Sequence, residues 1–366
     1  MIASYCRRHV KCFIWAGSMA AAALLFIWLS RSGAGFAQWY AVWVFPIFPN
    51  TIGRILSPLP FSVYEFALYA LSLGFLCFLG TVLFFAFYRR SGLGKLLSRF
   101  FRFLLCGASA VFLMLTLTCL INYGRIPFGE TAGYSLCDSS VSELAALCEE
   151  LAAQANEFAA QIPTEPSGCL SLEGVNIRKQ AKQAMAKLGE QYPSLSGYYP
   201  NPKPVAFSWG MSHLRLTGMF SPFTIEANYN RNIPDYEIPY TVCHELAHLK
   251  GWIREDEAGF IAYLACRGSD DPALRYSGTL NALSYAMNAL YGAGWQDSYW
   301  RIYESLPEKA KADYRFSNAY WKQFETKVAE VSTSLNDGYL KANAQTDGVQ
   351  SYGRMVDLLL AERRSR

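Results

Sequence analysis

Two histidines and a glutamate lie close together in the segment His244-Glu245-Leu246-Ala247-His248. Histidines four residues apart share one face of a helix, so both imidazoles can reach a single metal ion. The glutamate between them is rotated by about 100° around the helix axis, where it can reach a metal-bound water without binding the metal. This H-E-x-x-H pattern is typical of zinc peptidases, in which the glutamate is the general base.

The neighbouring residues predict a helix for this segment. Pro239 suits a first helical turn and Gly251 suits the position after the last one. Val242, Leu246 and Leu249 would form an apolar stripe on the side roughly opposite the histidines. The helix can therefore pack its back on a core and present both histidines to a cleft. The alternative is a helix with two ordinary surface or core histidines. The chain has only four histidines in all, so the motif is seldom expected by chance.

A catalytic zinc ion needs a third protein ligand and one open position. The next segment, Arg254–Cys266, is predicted to be a second helix with an acidic first turn. Glu257 shares the apolar face of that helix with Leu264, whereas Glu255 and Asp256 turn away from it. A buried carboxylate needs a cation or strong donors, so Glu257 is the predicted third ligand. A buried ion pair between Glu257 and an arginine is the alternative.

The residues also suggest one rival ligand pattern and several candidate groups for binding a substrate. In the metzincin pattern a third histidine would stand where this chain has Arg254, which cannot bind zinc. The run Phe223–Tyr229 is a candidate edge strand for holding an extended peptide. Candidates for stabilising an oxyanion are His213, Tyr229, Tyr236, Tyr240 and Tyr263, with no preference among them.

Composition indicates a membrane protein with a soluble part. Of the 366 residues 52% are hydrophobic and only 17% are charged, against about 25% charged in an average soluble protein. This composition excludes a disordered chain. Nearly all the apolar clusters precede residue 122, which argues against a wholly soluble chain. The net charge of +4 is too small to imply nucleic-acid binding. The ten cysteines show no zinc-binding spacing.

Three segments are apolar enough to span a bilayer, which takes about 20 residues: about 12–29, 61–88 and 103–123. The first is read as a retained helix, with a signal peptide as the alternative. The stretch Phe36–Phe48 is too short to span and is predicted to lie at the membrane interface.

Basic residues predict the orientation of these helices. They cluster before the first helix and between the second and third: Arg7, Arg8 and Lys11, then Arg89, Arg90, Lys95, Arg99 and Arg102. The first loop has only Arg31 and Arg54. Residues 1–123 are therefore predicted to be a membrane domain, and residues 124–366 an extracytoplasmic domain.

The expected class of the second domain is α+β and mainly helical. Amphipathic helices are predicted at Asp138–Ala160 and Val175–Gln191, and a long helical stretch from Ala319 to about Asn343. Short β-rich runs at 204–209, 213–217 and 223–229 predict a small antiparallel sheet.

Several segments resemble the bacterial membrane proteins grouped as domain of unknown function 3810. They are PFTIEA at 222–227, HELAHLKG at 244–251, REDEA at 254–258, YLKAN at 339–343 and SYGR at 351–354. More distantly, the motif followed by E-x-E-A resembles the gluzincin peptidases, including membrane-bound heat-shock and prenyl-protein types. That resemblance implies a zincin-like domain in which zinc is bound by His244, His248 and Glu257 and Glu245 is the base.

Two departures from the gluzincin pattern qualify this resemblance. The interval from His248 to Glu257 is short, and Ile261 stands where a second carboxylate often orients a histidine. Glu226 or Asp256 would have to orient the histidines instead.

The resulting hypothesis is a membrane-anchored zinc peptidase that acts on a peptide or protein. A catalytically weak zincin-shaped sensor or scaffold that binds envelope partners is the main alternative. A transporter is a weaker one, because Glu65 is the single acidic residue in the spans.

Overall fold

Three long apolar helices form the N-terminal part of this computed structural model, which describes residues 9–88, 90–163, 165–343, 345 and 347–366. All three are long and apolar enough to cross a membrane, as predicted. The helices of this part are α1 (Val10–Arg31), α2 (Ala34–Trp43), α3 (Val63–Tyr88) and α4 (Arg90–Thr118). The third long helix begins earlier than expected, because the basic segment before residue 103 is rich in helix-forming Leu, Lys and Arg and has no proline. Arg7, Arg8 and Arg89 lie outside the described residues.

Helices α1 and α4 run in the same direction. The sulfur of Cys12 lies 3.1 Å from that of Cys106, and the backbone of Ser30 lies against Gly124. Along α1, Cys12 and Ser30 are about 27 Å apart, which is close to the thickness of the hydrocarbon core. Helix α3 folds back along α4 and so runs the other way. This arrangement suits three crossings, and which side faces the cytoplasm stays a prediction.

The rest of the chain is mostly helical. Its longer helices are α5 (Val141–Ala159), α6 (Ile177–Gln191), α7 (Ser208–His213), α8 (Glu237–His248), α9 (Glu255–Arg267), α10 (Pro272–Gly292), α11 (Gln296–Ser305), α12 (Glu308–Lys322), α13 (Lys327–Ala342) and α14 (Met355–Ser365). The predicted helices α5 and α6 are confirmed, and Ser140 and Glu143 form a capping box at the start of α5. The single stretch predicted from Ala319 to Asn343 is instead parts of two helices, because Thr326 caps a new one by accepting the N–H of Ala329.

The small sheet is mixed, so the prediction of an antiparallel sheet was wrong. Its strands are β1 (Lys203–Pro204), β2 (Gly218–Ser221) and β3 (Glu226–Tyr229), in the order β1-β3-β2. Strand β1 pairs with β3 in parallel, and β2 pairs with β3 antiparallel. Helix α7 begins inside the first predicted strand and ends where the second was predicted, and the second strand instead forms at Gly218–Ser221. Helix α7 thus carries the chain between β1 and β2. The predicted edge strand β3 is therefore central, and β2 is at the edge.

Helix α8, which carries the H-E-x-x-H motif, lies in the core as predicted. Val242, Leu246 and Leu249 are fully buried, and Gly251 has the positive φ of +77° that ends such a helix readily. The short link after it brings the start of α9 back beside the end of α8. The position of the motif therefore follows from a buried helix and a tight turn.

The sheet is attached to one end of the spanning helices. Glu226 accepts hydrogen bonds from the N–H groups of Val63 and Tyr64 at the start of α3, at 3.1 and 2.9 Å. These are N–H groups that a helix itself cannot satisfy. Glu65 accepts the N–H groups of Ala206 and Phe207 in return. Glu65 thus joins the start of α3 to the segment after β1 and is not an isolated acidic residue in a span.

Candidate metal centre

The side chains of His244, His248 and Glu255 converge at one point. Among the described residues they form a group whose ligand atoms all lie within 4.8 Å of one another. Oε2 of Glu255 is 3.0 Å from Nε2 of His244 and 3.7 Å from Nε2 of His248. Ligands about 2.1 Å from a tetrahedral zinc ion stand roughly 3.4 Å apart. The donor set and its spacing therefore fit a divalent cation.

The carboxylate in this group is Glu255, which corrects the prediction of Glu257. Oε1 of Glu257 accepts the N–H of Phe128 at 2.8 Å and lies 3.5 Å from the guanidinium of Arg254. Glu257 is buried, as expected, but it faces the chain after α4 and not the histidines. The buried ion pair with an arginine, considered above as the alternative, is the arrangement found.

Helical periodicity correctly predicted that the side chains of Glu255 and Glu257 point in different directions. It did not predict which of the two faces the histidines. Residues 255 and 257 point to nearly opposite sides of α9. The apolar face of α9 packs on the core, and the first turn of its other face meets the end of α8 where the histidines are. A ligand at the very start of a helix can thus be buried without belonging to the helix's apolar stripe.

A backbone carbonyl, not a carboxylate, orients His248. Its Nδ1 lies 2.7 Å from the carbonyl oxygen of Trp252, so Nδ1 carries the proton and Nε2 keeps its lone pair for a metal. Glu226 has its partners at α3 and at Lys203, and Asp256 has no hydrogen bond with either histidine. The two carboxylates proposed from the sequence for this role therefore do not fill it.

Glu245 lies beside the cluster, with its carboxylate against strand β2. A Cβ atom at Gly218 would lie 2.7 Å from its Cγ and 2.8 Å from its carboxylate carbon, so only glycine leaves the room it takes up. Oε2 of Glu245 is buried and has no hydrogen-bond partner. Burial raises the pKa of this carboxyl group to about 8. Such a group takes up a proton readily near neutral pH.

Burial and mutual contacts shift the pKa values of His244, His248 and Glu255. Burial opposes ionisation of Glu255, but the hydrogen bond with His244 and the nearby imidazole of His248 outweigh it and hold its pKa below the usual range. Burial likewise opposes protonation of His248, but Glu255 outweighs it and raises the pKa to about 9. Burial lowers the pKa of His244. A proton and a divalent cation would therefore compete for this site.

The cluster opens into a cavity of about 720 Å³. Strand β2 forms one wall with Gly218, Met219 and Phe220, and α13 forms another. Of the five residues proposed for an oxyanion, Tyr240 alone lines this cavity. Tyr285 and Tyr339 also line it; both lie far from the motif in sequence, and no sequence signal pointed to them.

Comparison with known proteins gives one match. The family model described as Protein of unknown function (DUF3810) matches residues 40–360, which includes α3, α4 and every residue of the cluster. No curated protein and no solved structure matches the chain. The match assigns a family, and it carries no statement on zincins or on activity.

Proposed function

This chain belongs to the DUF3810 family of proteins of unknown function, and we propose that it is a membrane-anchored zinc metallopeptidase. One observation carries the proposal: His244, His248 and Glu255 converge while Glu245 lies free of them in the same cavity. Three ligands with a fourth position open are the arrangement of a catalytic rather than a structural zinc site.

The donor set favours zinc among the divalent cations. Two imidazoles and one carboxylate suit zinc, whereas calcium and magnesium prefer oxygen ligands alone. A zinc ion held there supplies a Lewis acid that polarises a peptide carbonyl and makes water more acidic. The cavity of about 720 Å³ beside the three side chains leaves room for a substrate carbonyl.

Glu245 is the proposed general base. It accepts a proton from the attacking water and delivers that proton to the nitrogen of the leaving amine. The buried oxygen Oε2, which has no hydrogen-bond partner among the described residues, is available for that proton. Gly218 keeps the carboxylate in place by allowing the backbone of β2 to approach it.

Strand β2 is the proposed holder of the substrate backbone. Within the described residues it pairs with β3 on one side, and its residues line the cavity on the other. An extended peptide can add to such an edge, so that backbone hydrogen bonds give affinity without strict sequence demands. The substrate class is therefore an extended peptide segment.

We also propose the cellular arrangement predicted from charge. The three apolar helices cross a bacterial cell membrane, and residues 124–366 form an extracytoplasmic domain. Supporting this, Ser30 near the end of α1 lies against Gly124, just after α4, and Glu226 of the sheet accepts the N–H groups at the start of α3.

The proposal is tested with the full chain purified in lipid nanodiscs. Metal content is measured by mass spectrometry and cleavage by a mixture of quenched fluorescent peptides. We expect about one zinc per chain and cleavage in the wild type, zinc without cleavage in Glu245→Gln, and neither in His244→Ala. Chelation should abolish cleavage, and added zinc should restore it.

The same experiment separates the peptidase from the alternative of a zincin-shaped scaffold. Equal cleavage by wild type and Glu245→Gln would refute the mechanism. Zinc in the wild type without cleavage of any peptide would favour a scaffold, in which the cluster stabilises the fold alone.

A further inference from the structure

An exposed apolar face runs along α13. Val328, Val331 and Leu335 follow one another at intervals of three and four residues and so lie on one side of the helix. All three are exposed, and Leu335 is 71% exposed. Phe207 and Trp209, at the start of α7, are exposed as well. Contiguous apolar surface of this kind marks an interaction with a protein or a membrane.

The start of α7 is fixed to the end of a spanning helix. The carboxylate of Glu65, in the first turn of α3, accepts the N–H of Ala206 at 2.8 Å and the N–H of Phe207 at 2.7 Å. The exposed aromatic side chains of α7 therefore lie where α3 enters the hydrocarbon.

Helix α13 extends from α7 to the end of another spanning helix. The hydroxyl of Ser332 donates to the carbonyl of Leu214, just after α7. At the other end of α13, the guanidinium of Arg31, the last residue of α1, donates to the carbonyl of Ala342 at 3.0 Å. Helix α13 is thus held within its first half by α7 and at its last residue by α1, at the level where the spanning helices finish.

Helix α2 marks the same level independently. Tyr40 donates its hydroxyl to the carbonyl of Leu117 near the end of α4, and Trp39 and Trp43 on α2 are exposed. Tryptophan and tyrosine concentrate at the boundary between hydrocarbon and water. The exposed apolar face of α13 therefore continues an aromatic belt around the spanning helices.

A different face of α13 lines the cavity, through Ser332, Thr333 and Asn336. Cys119 and Tyr123, at the end of α4, line it too. The cavity and the exposed apolar surface thus lie on adjacent faces of the same helix, α13. A peptide lying in the cavity would be held at the membrane surface.

We infer that α7 and α13 lie in the lipid interface, and that the cavity takes the juxtamembrane segment of a second, membrane-anchored polypeptide. The second half of this inference rests on the proposed peptidase function. The first half, the lipid contact, does not.

The lipid contact is tested by photolabelling the full chain in nanodiscs. The nanodiscs contain a phospholipid with a diazirine near the glycerol end of its acyl chain, and mass spectrometry locates the adducts. We expect adducts on 328–339 and 207–214 at a frequency comparable with α2. Trp300 on α11 is the control, because it is exposed and its ring packs against Tyr299 and Tyr303 of its own helix. Labelling of α13 no higher than at Trp300 would overturn the inference, as would two chains per nanodisc with α13 protected by the second copy.

The substrate class is tested with one cleavable sequence presented in three ways. The sequence is free in solution, joined to a lipid anchor by a short linker of a few residues, or joined by a linker of about 30 residues. We expect the short-linker form to be cleaved at least tenfold faster than the free form, and Leu335→Lys to reduce that advantage. Equal rates would overturn the substrate class. Lipid adducts on α13 without cleavage of any form would instead refute the peptidase and leave the lipid contact standing.

Discussion

Replacing Glu255 by glutamine should remove the metal, whereas the same change at Glu257 should not. The two glutamates lie in the same turn of α9 and are both buried or nearly so, which makes them a matched pair. The Glu255 carboxylate contacts both imidazoles. The Glu257 carboxylate contacts Phe128 and Arg254 instead.

The size of the effect follows from the role of each carboxylate. Loss of a group that merely orients a ligand costs about 10- to 100-fold in metal affinity. Loss of the charged ligand itself should therefore cost about 100-fold or more in Glu255→Gln, about 2.7 kcal/mol or above. In Glu257→Gln the amide oxygen still accepts the N–H of Phe128. The zinc affinity should then stay within about threefold, while loss of the charge beside Arg254 costs on the order of 1–3 kcal/mol of stability.

The assay is a competition titration of zinc against a coloured chelator, with full-length protein in nanodiscs. Thermal unfolding of each variant without metal shows whether the chain is folded, so that lost binding is not mistaken for lost structure. A larger loss of zinc affinity in Glu257→Gln than in Glu255→Gln would refute the assignment. Unchanged affinity in both would show that the cluster is not a metal site.

Three further changes test the surroundings of the site. Gly218→Ala should displace the carboxylate of Glu245 by about 1 Å, lowering the cleavage rate by roughly 100-fold while zinc stays bound. Glu226→Gln should lower the free energy of unfolding by about 3 kcal/mol, because the buried ammonium of Lys203 loses its counter-ion 2.7 Å away, which chemical denaturation measures. Burial raises the pKa of Glu237 to about 7. The folded state therefore holds its proton more tightly than the unfolded state, so the stability from this group is present below about pH 4.5 and is lost as the pH rises through 7.

Each of these predictions has its own control. Alanine at Gly292 meets no atom within 4 Å and should leave the cleavage rate unchanged. Adding Lys203→Met to the Glu226 variant should recover part of the lost stability, since no uncompensated charge remains. In Glu237→Gln the loss of stability between pH 4.5 and 7 should become smaller by about 3 kcal/mol. A wild-type rate in Gly218→Ala, a neutral Glu226→Gln, or an unchanged pH profile in Glu237→Gln would contradict the corresponding argument.

The local features of this protein were determined by its sequence. The three apolar segments, the amphipathic α5 and α6, and the buried helix that carries His244, Glu245 and His248 all follow from periodicity and end signals within about 20 residues. Such patterns depend on neighbouring side chains along one helix, and these are fixed by helical geometry alone.

The tertiary structure alone decided which carboxylate joins the histidines. Periodicity fixed that Glu255 and Glu257 point apart, but the direction in which α9 crosses α8 comes from packing between distant residues, such as Phe128 against Glu257. The order of the strands likewise depends on α7, which redirects the chain between β1 and β2.

The placement of the cavity beside the end of α4, and of α7 and α13 against α3 and α1, also needed the folded chain. It depends on hydrogen bonds such as those from Ala206 to Glu65 and from Arg31 to Ala342, which join residues more than a hundred positions apart. Contacts of that range leave no periodic trace in a single sequence, because each partner's own neighbourhood looks like an ordinary helix end.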